Sequence, residues 1–189
     1  RFGKVQDAEK KFIALSHTTT DLLTRIAEQF GLGWLKTWVG FAQLAAGTRA
    51  IWDLHQGKDT PGLTASKRLP HYDEGRRVAG ETVCNRSIHS WHAMDDPRRC
   101  GNIAALVQSN GVSLLGDVPP DDRSLGAGGH VRDKDGTLAA VLVAELAQYA
   151  KEEGVPLLDL LDEKLYLDPA LGLFITYYEP DPIDGEYAG

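Results

Sequence analysis

The strongest constraint on the fold is a short apolar run at residues 12–15 that stops at Ser16 and His17. It leads into Leu22, Leu23, Ile26, Ala27 and Phe30 at helical spacing. The run suits a buried strand, and the spacing of three and four suits a helix with one apolar stripe. Gly31 and Gly33 interrupt the helix as glycine does at a C-terminal cap, and residues 34–39 form a second short run with β-branched and aromatic content. The chain therefore opens as a β-α-β unit. Gly40-Phe41 ends the second strand, and residues 43–54 predict a further helix around Leu44, Ala45, Ile51 and Leu54.

Periodicity is lost between residues 55 and 101, where Gly, Pro, Arg, Asp and His dominate, so this stretch reads as a long irregular insertion. Residues 103–107 predict a buried strand, and a polar, Pro- and Gly-rich loop runs over 109–136. A helix begins at Thr137, with Leu138, Val141, Leu142, Leu146 and Tyr149 on it, Asp135 as its N-cap and an end near Gly154. A short helix is expected over 156–164, then a turn at Asp168-Pro169, a strand over 173–178 and an extended tail. Helical and strand segments in this order specify an α/β fold, a mixed sheet flanked by helices.

Composition excludes some classes. With 20 Lys and Arg against 27 Asp and Glu, a net charge of -7 and no basic stripe, the chain offers no nucleic-acid surface. No apolar run approaches the roughly 20 residues that cross a bilayer, and residues 1–12 carry charges where a signal peptide has its apolar centre. No membrane span and a cytoplasmic location are the expectations. Cys84 and Cys100 are the two cysteines, too few for a disulfide scaffold, and are read as free thiols.

Chemistry-bearing residues concentrate in residues 116–154, where a Gly-rich loop leads into His130-Val131-Arg132-Asp133-Lys134-Asp135-Gly136 and then the long helix. Arg132 offers a planar fork for oxyanions, Lys134 a point charge, His130 a donor or acceptor near neutral pH, and the helix an N-terminus that favours anions. Without further information these would be solvated charges beside Asp133 and Asp135.

The segment resembles the stretch of phosphohexomutases, the phosphoglucomutases and phosphomannomutases, in which a Gly-rich loop and a His-x-Arg-acid-Lys-Asp-Gly motif open a long helix. Residues 16–41 are similar to the opening β-α-β unit and Val-Gly-Phe-Lys turn of the same third domain, and residues 167–187 resemble its exit toward a fourth domain. The resemblance implies a three-layer phosphohexomutase-type domain over 1–167, with 55–101 as the insertion and 168–189 as strand and linker toward a missing fourth domain. It further implies a role in carbohydrate metabolism as part of an isomerase, with hexose phosphate bound through Ser109, His130, Arg132 and Lys134.

Departures from the family narrow that expectation. Where the sugar-reading loop has Glu-Glu-Ser-x-Gly, this chain has Val107-Gln108-Ser109-Asn110-Gly111, so both carboxylates are gone, and Ala42 stands where the turn has lysine. The phosphoserine loop, the Mg2+ loop and the final phosphate loop are not found intact. The expectation is a sugar-phosphate-binding domain that is not catalytic as an isolated chain, with no catalytic residue and no cofactor of its own, Mg2+ belonging to a missing domain. A non-catalytic structural or binding subunit derived from the same fold is the alternative, and missing domains or a protein partner are implied either way.

Thr64-Ala65-Ser66 echoes a phosphoserine loop out of place, and Asp117, Asp121 and Asp122 imitate a metal loop without its alternation. Cys84, His89, His92 and Cys100 are zinc-ligand types, and His89 and His92 would share a face on a helix, but the spacing fits no zinc module. Trp38, Trp52 and Trp91 are read as packing residues.

Overall fold

The structure, a computed structural model, describes residues 4–58, 88–94, 96–109, 111–121 and 123–174, together with the backbone of 72–73 and 76–77. The elements run β1 (Lys11–Ser16), α1 (Leu22–Gln29), β2 (Gly33–Thr37), α2 (Phe41–His55), β3 (Tyr72–Asp73), β4 (Arg76–Arg77), β5 (Ile88–His92), β6 (Gly101–Leu106), β7 (Val112–Ser113), α3 (Gly136–Glu152) and α4 (Leu157–Leu161). A π-helical turn, Asp162–Tyr166, continues α4. The expected short helix over 156–164 is therefore split in two.

Five strands form one mixed sheet in the order β5-β2-β1-β6-β7, with β2, β1 and β6 parallel and the two edge strands antiparallel to their neighbours. Helices cover both faces. Phe12 and Ala14 of β1 and Leu35 of β2 point to the α2 side, where they pack with Leu44, Ile51 and Trp52. Ile13, Leu15 and Trp34 alternate to the other side and meet Ala27 of α1 and Leu32. A strand buried on both faces needs an unbroken apolar run, which is why residues 12–15 carry no alternation. Gly31 takes the left-handed conformation at φ 72° just past α1, the role its position predicted. Gly33 instead lies inside β2, where a Cβ would stand 2.4 Å from Arg99 Cδ.

That contact belongs to an internal clamp. Arg99 is buried, and its Nη1 donates to the carbonyls of Ala8, Lys11 and Gly31 at 3.2, 3.0 and 3.1 Å. Three carbonyl dipoles thus offset the desolvation of one guanidinium and tie the segments before β1 and after α1 to the entry of β6.

Several expectations are corrected. The stretch 55–101 is not wholly irregular, since β5 lies within it and pairs with β2 over Trp34↔His92 to Thr37↔Ile88. The loop 109–136 contains β7. Residues 172–174 have no regular structure, so the expected strand does not start at Leu173, and residues 175–178 lie outside the described ones. Trp38 falls beyond β2 and is 38% exposed, while Trp52 is buried and donates from Nε1 to the Cys100 carbonyl at 2.8 Å. Trp91 packs partly buried against the α2-side core. Among the described residues no helix is long and apolar enough to cross a membrane.

Candidate functional site

Chain order and sheet order together locate a crevice. From β1 the chain passes through α1 to β2 on one side, while β6 arrives on the other side of β1. The carboxyl ends of β1 and β6 therefore flank the point where the connections diverge, the usual position of ligands in open α/β sheets. Residues 17–21 leave β1 there, and residues 107–109 and 111 lie between β6 and its antiparallel neighbour β7.

The β1 exit carries a cluster of hydroxyls. Ser16 Oγ lies 3.0 Å from Thr18 Oγ1 and 2.7 Å from Thr19 Oγ1, and Thr19 Oγ1 donates to the Leu106 carbonyl at 3.4 Å, closing the gap between the two strands. Beside it, the rings of His17 and His89 stack with centroids 5.5 Å apart, and Trp38 meets both edge-on. Sequence reasoning gave no binding role to His17, Thr18 and Thr19, although Ser-His-Thr-Thr-Thr between a strand and a helix is the position where such loops bind ligands.

The segment 130–135 is fastened to the outer edge of β7. His130 N donates to the Leu114 carbonyl at 2.8 Å, Ser113 Oγ donates to the Val131 carbonyl, and Asp135 exchanges backbone bonds with Val112 at 2.9 and 3.3 Å. Gly111 permits the closest approach, since a Cβ there would lie 2.9 Å from the Asp135 carbonyl carbon and 3.0 Å from Gly136 N. Ser109 in the β6–β7 turn and the Lys134-Asp135-Gly136 entry to α3 are thereby brought to one end of the sheet. Buried Asn102 anchors the strand below, accepting from Leu115 N at 3.1 Å and donating to the Ala104 carbonyl at 3.0 Å.

The structure sets the four expected binding residues in different surroundings. Ser109 and Lys134 are exposed. His130 is exposed and its Nε2 lies 2.8 Å from Asp135 Oδ2. Arg132 is half-buried, donates to the Ser124 carbonyl, and lines a pocket on the α2 side with Arg49. The N-terminus of α3 is already occupied: Asp135 Oδ1 accepts from Leu138 N at 2.9 Å. That backbone bond, then the bond with His130, holds the Asp135 carboxyl below the usual aspartate range.

The Gly-rich stretch 126–129 packs rather than cradles. Asp117 N donates to the Ala127 carbonyl at 2.9 Å, and a Cβ on Gly126 would overlap the Asp117 carbonyl oxygen at 1.7 Å. Asp121 accepts from the amides of Arg123 and Ser124 at 2.8 Å each and from the Ser124 hydroxyl, bonds that lower its pKa.

The zinc-type residues do not converge. His89 and His92 lie three apart on strand β5, across an irregularity in its pairing with β2, and make separate contacts, His89 stacking on His17 and His92 on Trp34. Cys100 is partly buried against His55, with Sγ 3.4 Å from Nδ1, and burial raises its pKa. Cys84, Thr64-Ala65-Ser66 and Asp122 lie outside the described residues. Among the described residues no group of three or more His, Cys, Asp or Glu could hold a metal ion.

Compared with protein-family models, curated proteins and solved structures, the chain has no significant match.

Proposed function

We propose that this chain is a sugar-phosphate-binding domain of phosphohexomutase type, holding a hexose phosphate beside the carboxyl ends of β1 and β6 without turning it over alone. The observation that carries the reading is the Val112–Asp135 bridge, which joins the Ser109 turn to the Lys134 segment along the outer edge of β7, the strand next to β6. Lys134 there supplies the cation for the phosphate and Ser109, with the Thr18 hydroxyl, bonds to sugar hydroxyls. His130 contributes through its link to Asp135. Any Mg2+ and phosphate-transferring groups belong to other domains, in a cytoplasmic enzyme of carbohydrate metabolism.

Titration with glucose 6-phosphate tests this. Binding is expected in the wild type, weakened about tenfold by Lys134→Ala, which removes one charge-assisted contact, and less by Ser109→Ala. Unchanged affinity in Lys134→Ala removes that residue from the site, and no binding by the wild type overturns the reading. In a coupled assay on glucose 1-phosphate with Mg2+, turnover by this chain alone would contradict the non-catalytic assignment.

A second reading, a non-catalytic subunit that docks on another protein or domain, is favoured by α3. Its Val141, Leu142 and Val143 are 58%, 45% and 57% exposed. Apolar residues grouped in this way are what a docking face requires.

A further inference from the structure

A cavity lies away from the crevice. Helix α1 starts where β1 ends and runs back along the sheet, so Ile26 and Phe30 stand toward its far end, where they line a cleft of about 460 Å3. Leu146 of α3 and Leu160, Leu161 and Leu171 of the segment after it line the same space. The volume falls within the roughly 300–1,000 Å3 of small-molecule sites, and apolar walls with a few polar groups are their usual composition. Leucine walls give water no hydrogen-bond partners, whereas an apolar body placed there gains dispersion contacts and leaves water.

The polar groups select the head of the ligand. The π-helical turn after α4 is closed by Leu167 N donating to the Asp162 carbonyl at 2.8 Å, a five-residue step of the kind that recurs at functional sites. Lys164 within that turn and Asp168 just past it both line the cleft, together with Gln29 and Tyr149. Among the described residues no ion pair joins Lys164 to Asp168. Asp168 Oδ1 accepts from Ala170 N at 2.8 Å, which orients the carboxylate. A purely anionic ligand would meet that carboxylate and a purely cationic one the Lys164 ammonium, each an encounter of like charges. A head with both charges satisfies both groups through charge-assisted bonds, its carboxylate on Lys164 and its ammonium on Asp168. A sugar phosphate does not suit the cleft, because hydroxyls against the leucines would lack partners.

We propose that this cleft binds a free α-amino acid with a large aromatic side chain, the side chain against the leucines and the zwitterionic head between Lys164 and Asp168. The inference is independent of the hexose-phosphate reading, because it uses none of Ser109, His130, Arg132 and Lys134.

The experiment is calorimetric titration of the 189-residue chain with L-tryptophan, indole-3-propionate, which lacks the ammonium, tryptamine, which lacks the carboxylate, and glycine, which lacks the apolar body. L-Tryptophan is expected to bind, either indole analogue about tenfold or more weakly, the worth of one charge-assisted bond, and glycine not at all. Lys164→Gln should weaken L-tryptophan about tenfold without weakening tryptamine. Asp168→Asn keeps an acceptor for Ala170 N and should weaken L-tryptophan by a similar factor without weakening indole-3-propionate. Leu146→Trp should block L-tryptophan by filling the cleft with both charges in place. No L-tryptophan binding by the wild type overturns the proposal, as does unchanged affinity in Lys164→Gln, in Asp168→Asn or in Leu146→Trp. An analogue that binds as tightly as L-tryptophan rejects the zwitterionic head, and glycine binding as tightly rejects the apolar body. L-Tryptophan affinity that falls as the chain is concentrated would assign the cleft to a second copy and likewise overturn the proposal. If Leu146→Trp fails to fold by circular dichroism, the ligand series on the wild type decides the matter. Glucose 6-phosphate should not displace L-tryptophan, and loss of one ligand with the other retained shows which of the two sites fails.

Discussion

Helices α2 and α3 are similar in length, 15 and 17 residues, and both are rich in apolar side chains, yet they are held in different ways. Helix α2 buries Phe41, Leu44, Gly47, Thr48, Ala50, Ile51 and Trp52 against the sheet, while the buried residue of α3 is Ala150. Their starts differ in the opposite sense. Gly40 precedes α2 with no side-chain cap, whereas Asp135 caps α3 through the Leu138 amide. One helix is fixed by what it lies against and the other by how it begins. Apolar content is therefore a poor guide to burial, because a helix needs a facing surface as well as a stripe.

That contrast can be broken by substitution. The largest effect is expected from Ile51→Ala in α2, where the side chain is fully buried: about 2–5 kcal/mol of stability should be lost in urea unfolding. Gly47→Ala tests how closely α2 lies on the sheet, since the added Cβ would stand 2.7 Å from Thr37 Cγ2, and a loss of about 1–3 kcal/mol is expected. A neutral effect of either change would mean that α2 is not seated as described.

On α3 the cap should matter more than the face. Asp135→Ala is expected to lower the melting temperature at neutral pH, and the sign of its pH dependence is fixed. The folded-state pKa lies below the ordinary 3.8, so the ionised carboxylate stabilises the fold above that value. The contribution disappears as pH falls through the depressed folded value, so wild type and Asp135→Ala should converge in acid. Divergence at low pH would contradict the cap. The smallest effect is expected from Val141→Lys, within about 0.5 kcal/mol, because its side chain already meets solvent. A larger loss in the isolated chain would show that a second surface covers α3.

How legible the sequence was follows the same division. The apolar run 12–15, the spaced Leu22 to Phe30 and Gly31 gave β1, α1 and the helix stop within a residue or two. Asp135 and its helix were equally plain, because a cap is a contact between near neighbours. Strand β5 was not readable. Ile88 and Ser90 are both buried, but Ser90 is polar, histidines stand among them, and an irregularity in the pairing with β2 breaks the alternation. Strand β7 is two residues long, too short for any periodicity.

The candidate site was legible in its parts and not in its grouping. Ser109, His130, Arg132 and Lys134 stand out as chemistry-bearing residues, but a strand pairing across 23 residues, Val112 with Asp135, brings the Ser109 turn to the entry of α3. The contact of α2 with a loop some 80 residues away sets Arg132 beside Arg49. By itself the sequence determined the β-α-β opening, the capped helix and the types of side chain available, all set by interactions within a few residues. Tertiary structure decided which face of each helix is covered and which cations share a cavity. Those outcomes depend on long-range pairing and burial, whose partners are not neighbours in the chain.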